Sequence, residues 1–120
     1  MAVLIVDDQA AFRRAAADVV ALTDGLEVVA EAGRGEDAVI ACAGSAIGLV
    51  LMDVNMPGIG GLEAARRIRD SDRAVVIALV STYAADDLPD DVRASDFPYI
   101  QKAHLSPSAL QQLLRGAPHP

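Results

Sequence analysis

Three short aliphatic runs in this chain, and one shorter mixed stretch near its end, each stop at a residue that can do chemistry. Val3-Leu4-Ile5-Val6 stops at Asp7-Asp8, Gly48-Leu49-Val50-Leu51-Met52 at Asp53, the run from Ala74 to Val80 at Ser81-Thr82, and the shorter Pro98 to Gln101 at Lys102. Unbroken apolar runs of this length, bounded by turn residues, read as strands buried on both faces, the habit of parallel sheets. A further strand is expected from Leu26 to Ala32, after the Thr23-Asp24-Gly25 break.

The segments between these strands have helical spacing. From Ala10 to Leu22 the apolar positions are Phe12, Ala16, Val19, Val20 and Leu22. A second helix is expected from Glu36 to Ala43. A third runs from Gly61 to about Asp70, with Leu62, Ala65 and Ile68 apolar and a solvated basic side of Arg66, Arg67 and Arg69. Ser106-Pro107 opens the last helix with a capping hydroxyl and an early proline, and it runs to about Arg115. Strand and helix thus alternate five times, which predicts an α/β domain of three αβα layers, doubly wound on five parallel strands. Ligand sites in such sheets lie outside the carboxyl ends of the strands. Asp7, Asp8, Asp53, Ser81 and Lys102 therefore converge on one edge.

Charge and composition narrow the function. The net charge of -7 argues against direct binding of nucleic acid or an anionic membrane, and it suits a carboxylate site that takes a cation. The 120 residues suit one domain, and nothing approaches a membrane span. Cys42, the one cysteine, reads as a small buried hydrophobe in a reducing compartment, so a cytoplasmic location is expected. Asp7 and Asp8 interrupt the first apolar run too early for a signal peptide. Residues 1–116 are read as the domain and Ala117-Pro118-His119-Pro120 as the start of a linker or a chain end.

An Asp after a strand is as readily a turn or helix cap as a reactive group. Several carboxylates together, however, repel unless a cation joins them, and all-oxygen ligands favour Mg²⁺ or Mn²⁺ over Zn²⁺. Neither His104 nor His119 has zinc-type partners. Lys102 is the only lysine, and a compact ammonium beside carboxylates suits a phosphoryl oxyanion. Ser81 offers a hydroxyl to the same oxyanion, and Asp53 can act as a nucleophile, since carboxylates form acyl phosphates. No glycine-rich phosphate loop is present, which disfavours nucleotide binding.

With these residues in order, the chain resembles a response-regulator receiver domain over essentially its whole length. The matching stretches are Val6-Asp7-Asp8, Met52-Asp53-Val54-Asn55-Met56-Pro57-Gly58, Gly61, Val80-Ser81 and Tyr99-Ile100-Gln101-Lys102. The resemblance implies a CheY-like, flavodoxin-like fold with strand order 2-1-3-4-5, two helices on one face and three on the other. It implies Asp53 as phosphoacceptor, with Mg²⁺ on Asp8, Asp53 and the backbone carbonyl of Asn55, and on Asp7 through water. Lys102 would contact the phosphoryl group or the carboxylate, Ser81 would swing toward the phosphoryl, and Tyr99 would turn inward behind it. The partner implied is a histidine kinase. The function implied is a two-component signalling switch, assisting its own phosphorylation and dephosphorylation rather than acting as an enzyme on a separate substrate. The run Leu26 to Gly33 resembles the NarL/FixJ subfamily, whose output is a LuxR-type helix-turn-helix beyond these residues. A homodimer is left open. The competing reading is a receiver-like interaction module that works without phosphorylation. A Mg²⁺ phosphatase is disfavoured, because Asn55 stands where a second acid is needed.

Three departures from the receiver pattern stand out. Gly60 occupies the place of the usual Asp before the third helix. Gln9, Asn55 and Tyr83 are expected to set water access at the mouth. The stretch from Tyr83 to Phe97 has room only for a short or irregular fourth helix, from near Asp87 to about Ala94, with Pro89 in its first turn and Ala85, Leu88 and Val92 as its apolar face.

Overall fold

The computed structural model describes residues 1–116; the linker expected at 117–120 lies outside the described residues. In chain order the elements are β1 (Ala2–Val6), α1 (Ala10–Ala21), β2 (Glu27–Ala32), α2 (Gly35–Gly44), β3 (Leu49–Asp53), α3 (Gly61–Ser71), β4 (Val76–Ser81), α4 (Asp90–Arg93), β5 (Tyr99–Gln101) and α5 (Pro107–Arg115). The strands form one five-stranded parallel sheet in the order β2-β1-β3-β4-β5, as the resemblance implied.

Side-chain alternation splits the core into two layers. Val3, Ile5, Leu49, Leu51 and Ala78 face α1 and α5, meeting Ala16, Val20 and Leu110. Leu4, Val6, Val50, Met52, Ile77 and Leu79 face the other way, onto Ala38 of α2, Ala64, Ala65 and Ile68 of α3, and Val92 of α4. Burial on both faces of β1, β3 and β4 is why those strands read as continuous apolar runs. The register pairs Val6 with Met52, Asp53 with Val80 and Ser81 with Gln101, so the polar residues at the strand ends arrive level with one another.

Three expectations about helices need correction. Leu22 is 75% exposed and lies past the end of α1, not on its inner face. It stands two residues beyond the buried Val20, roughly 200° around the helix axis. The fourth helix does not run from Asp87. A 3-10 turn spans Ala85–Asp87, Leu88 and Pro89 are extended, and α4 is the single turn Asp90–Arg93. The cause is Pro89, whose ring disfavours helical backbone at the preceding residue, so no helix can pass through Leu88. Ala85 is exposed, while Leu88 and Val92 are each 6% exposed and anchor the segment together with buried Phe97. The guanidinium of Arg69 stacks 3.7 Å from the centroid of the Phe97 ring, so Arg69 is not simply part of a solvated basic side.

Candidate functional site

The carboxyl end of the sheet brings Asp7, Asp8, Asp53, Asn55, Ser81 and Lys102 together. A cavity of about 180 Å³ opens there, lined by Asp8, Gln9, Asp53, Asn55, Ser81, Thr82 and Lys102. Asp53 is the last residue of β3, the innermost strand, and is 4% exposed. Asp7 is fully buried, and Asp8 beside it faces the mouth. Oxygens of Asp7, Asp8 and Asp53 lie within 4.8 Å of one another.

Lys102 supplies the positive charge. Its ammonium lies 2.5 Å from Asp7 Oδ2 and 3.6 Å from Asp53 Oδ1, so it pairs first with Asp7 and only loosely with Asp53. It also sits 4.4 Å from the centroid of the Phe12 ring. The backbone N–H of Gln9 donates to Asp7 Oδ1 at 2.8 Å, and that of Asn55 to Asp53 Oδ1 at 3.3 Å. Burial, and then the charge of Asp7, push the Asp53 carboxyl up from 3.8 to about 6; Lys102 and the Asn55 N–H pull the other way. An oxygen-rich cluster in which one buried carboxylate is reluctant to ionise suits a hard divalent cation.

Ser81 ends β4 with its hydroxyl on the cavity, where Oγ accepts from the Tyr83 N–H at 3.3 Å. Tyr99 is half-buried. Its hydroxyl donates to the carbonyls of Ser81, at 3.2 Å, and of Tyr83. Gln101 Nε2 donates to the Thr82 carbonyl at 3.1 Å, so two side chains of β5 hold the chain as it leaves β4. The Tyr83 side chain is half exposed and does not line the cavity, whereas Gln9 and Asn55 do.

The loop between β3 and α3 is shaped by two glycines. Gly60 has φ of +80° and ψ of 165°, a region that essentially only glycine enters, which explains why no Asp stands there. A Cβ on Gly61 would lie 1.9 Å from the Asp53 carbonyl oxygen, so α3 begins directly against the backbone of Asp53.

Sequence reasoning missed Phe12 beneath Lys102. It also missed Arg13, whose Nη1 donates to the Asp7 carbonyl at 2.6 Å while its Nε pairs with Glu31 at 3.0 Å. The β1–β2 register sets Ile5 opposite Glu31, but no local spacing in the sequence ties Arg13 to it. A second and larger cavity, about 660 Å³, opens beside Arg73, Val75 and Gln112 and contains none of the strand-end carboxylates.

A doubly wound parallel sheet carrying an acidic cluster, a hydroxyl and one ammonium at its strand ends defines the class as a receiver-type signalling domain. The chain belongs to the response regulator receiver domain family, whose model matches residues 3–115. Over 87 residues, 72% of the chain, it is 44% identical to the response regulator UvrY of Escherichia coli (strain K12) and 39% identical to the response regulator GacA of Pseudomonas aeruginosa. Those alignments cover 40% of UvrY and 41% of GacA, so the chain spans about two fifths of the length of the curated relatives it matches. A two-component response regulator of the LuxR family from Aurantimonas sp. SI85-9A1 superposes with a TM-score of 0.78 at 28% identity, covering 95% of this chain and 81% of that one. The response regulator domain of Thermotoga maritima CheB gives 0.82 at 22% identity, over 96% and 94% of the two chains, a likeness of fold. These relatives set the chain among receivers of the NarL/FixJ type. No helix among the described residues is long and apolar enough to cross a membrane.

Proposed function

We propose that residues 1–116 form the receiver of a two-component response regulator that takes a phosphoryl group on Asp53 and passes the change to an output domain. The observation that supports this most is the meeting of the buried Asp53 carboxylate with the Asp7–Lys102 pair and the Ser81 hydroxyl in one small cavity. A carboxylate oxygen of Asp53 attacks the phosphorus of the donor. The new O–P bond replaces the N–P bond of a histidine kinase or the O–P bond of a small acyl phosphate, and the leaving group departs with the electron pair. Lys102 Nζ, already between Asp7 and Asp53, offers its charge to the arriving oxygens, and the Ser81 hydroxyl offers a hydrogen bond.

The cluster of Asp7, Asp8 and Asp53 fits a divalent ion, and by the receiver resemblance Asp8, Asp53 and the Asn55 carbonyl would hold it directly and Asp7 through water. When bound, Mg²⁺ or Mn²⁺ offsets the negative charge that gathers at the transferring group. From the resemblance of Leu26 to Gly33 to the NarL/FixJ subfamily, and with a LuxR-family response regulator among the similar structures, the output proposed is a C-terminal helix-turn-helix acting in transcription, and the setting proposed is cytoplasmic.

The relay runs from Ser81 to the β4–α4 segment. If the Ser81 side chain turns to donate its hydroxyl to a phosphoryl oxygen, it moves the Oγ that accepts from the Tyr83 N–H, in the same stretch that Tyr99 and Gln101 hold by its carbonyls. Beyond it lie one 3-10 turn and one helical turn, held by Leu88 and Val92. So little regular structure can be moved by a small free-energy change. Amide hydrogen exchange tests this relay. Residues Asp86 to Ala94 should exchange much faster than α1 and α5, and their rates should change when Asp53 carries a phosphoryl group or beryllofluoride. Strong protection that is the same in both states would exclude the segment as the relay.

A further inference from the structure

Asp53 is fixed by its strand, and Asn55 sits on the loop that follows, its own N–H bonded to Asp53 Oδ1 at 3.3 Å, while the rest of that loop needs a separate hold. The loop is tied at its start, where the Val54 N–H donates to the Val80 carbonyl at 2.9 Å, and at its end, where the Gly61 N–H donates to the Val54 carbonyl at 3.3 Å. Among residues 56–60, the backbone N–H of Ile59 is the one with a partner among the described residues. That partner is Glu36 Oε1, 3.1 Å away on the first turn of α2 and 23 positions earlier in the chain.

The contact is tightly built. A Cβ on Gly58 would lie 2.4 Å from Glu36 Oε1 and 2.6 Å from Oε2, so the carboxylate lies directly against the backbone of Gly58. A Cβ on Gly35 would come within 3.0 Å of both the Gly60 carbonyl oxygen and Ile59 Cγ1, so the helix start itself abuts the loop. Arg34 Nη2 holds the other carboxylate oxygen at 2.8 Å. The Ile59 N–H bond is the main cause that holds the Glu36 carboxyl below its usual range. A backbone N–H donating to a carboxylate is a charge-assisted bond, stronger than a neutral one.

We infer that Glu36 is a positioning residue for the metal site: from α2 it clamps the β3–α3 loop through Ile59 and so sets where the Asn55 carbonyl stands. The inference rests on the reading that Asp8, Asp53 and that carbonyl hold the divalent ion. Outer partners of this kind change metal affinity by about 10-fold or more when removed.

The test is Mg²⁺ titration by calorimetry on the full chain, with exchange of the Ile59 amide and metal-free melting measured on the same samples. Glu36→Ala removes the acceptor. Glu36→Asp keeps the charge but withdraws the oxygen by one methylene. Glu36→Gln keeps an oxygen at the right reach without the charge. Glu36→Ala and Glu36→Asp should each weaken Mg²⁺ binding about 10-fold and speed exchange at Ile59, with little change in metal-free melting. Glu36→Gln should recover most of the affinity. Unchanged affinity in Glu36→Asp, or a loss in Glu36→Gln as large as in Glu36→Ala, would overturn the clamp and leave only a charge effect. No Mg²⁺ binding by the wild-type chain would instead remove the metal reading itself, and the clamp with it.

Discussion

The Gly61→Ala variant is expected to lose on the order of 3 kcal/mol or more of folding free energy, because its added Cβ would make the closest contact of any described glycine. The methyl carbon would have to occupy a point 1.9 Å from the Asp53 carbonyl oxygen, 2.9 Å from its carbonyl carbon and 3.0 Å from Val54 Cα. All three are backbone atoms, and the first two belong to the innermost strand, so no rotamer change relieves the clash. Either α3 withdraws, breaking the Gly61 N–H bond to the Val54 carbonyl, or Asp53 moves out of the cluster. At about 4 °C per kcal/mol for a chain of this size, the melting temperature should fall by more than about 10 °C. Gly44→Ala is the control. It lies at the end of α2 with nothing within 4 Å of an added Cβ, and it should melt close to wild type. A Gly61→Ala protein melting within about 2 °C of wild type would mean that α3 does not begin against Asp53.

Removing the charge of Asp53 should do the opposite in metal-free protein. The Asp53 carboxyl is raised from 3.8 to about 6 by burial and by Asp7. A carboxyl whose folded value lies above its unfolded value binds its proton more tightly when folded. Its contribution to stability is therefore greatest below the unfolded value and declines as pH rises from about 4 through about 6. At pH 7.5 the ionised group destabilises the fold by an amount on the order of 1–3 kcal/mol. Asp53→Asn removes that repulsion while leaving Lys102 its closer partner, Asp7. The variant should melt several degrees above wild type at pH 7.5 without metal, and the gap should shrink toward pH 4. Mg²⁺ should raise the melting temperature of wild type and not that of the variant. A variant less stable than wild type at pH 7.5 would make Asp53 a structural partner of Lys102 rather than a charge awaiting a cation.

The inner strands and their polar ends were legible because burial on both faces leaves a pattern no longer than the run itself. Val3 to Val6 and Leu49 to Met52 are wholly buried, and the next residue in each case is the carboxylate that meets the site. Lys102 was legible as the sole lysine, following the last strand, although its closer contact with Asp7 than with Asp53 was not. The contacts that escaped the sequence join elements by packing rather than by spacing. Phe12 reaches Lys102 across 90 positions, and Glu36 reaches Ile59 across 23. No local periodicity encodes either. The fourth helix was half legible. The aspartates and Pro89 marked it as short, but the helix was expected to pass through Leu88, which the following proline holds extended. Phe97, unassigned in the sequence reading, is buried in the same core layer as Leu88 and Val92, with Arg69 stacked on its ring.

The central claim, that the strand-end cluster exists to place a phosphoryl group on Asp53, is tested most directly by intact mass. Wild-type chain and Asp53→Asn are incubated with acetyl phosphate, or with a phosphorylated histidine kinase, in the presence and absence of Mg²⁺. The wild type should gain the mass of one phosphoryl group only when the metal is present, and Asp53→Asn should gain none under any condition. A gain of wild-type size in Asp53→Asn would place the chemistry on another residue, and no gain in the wild type from any competent donor would make this domain an interaction module that works without phosphorylation.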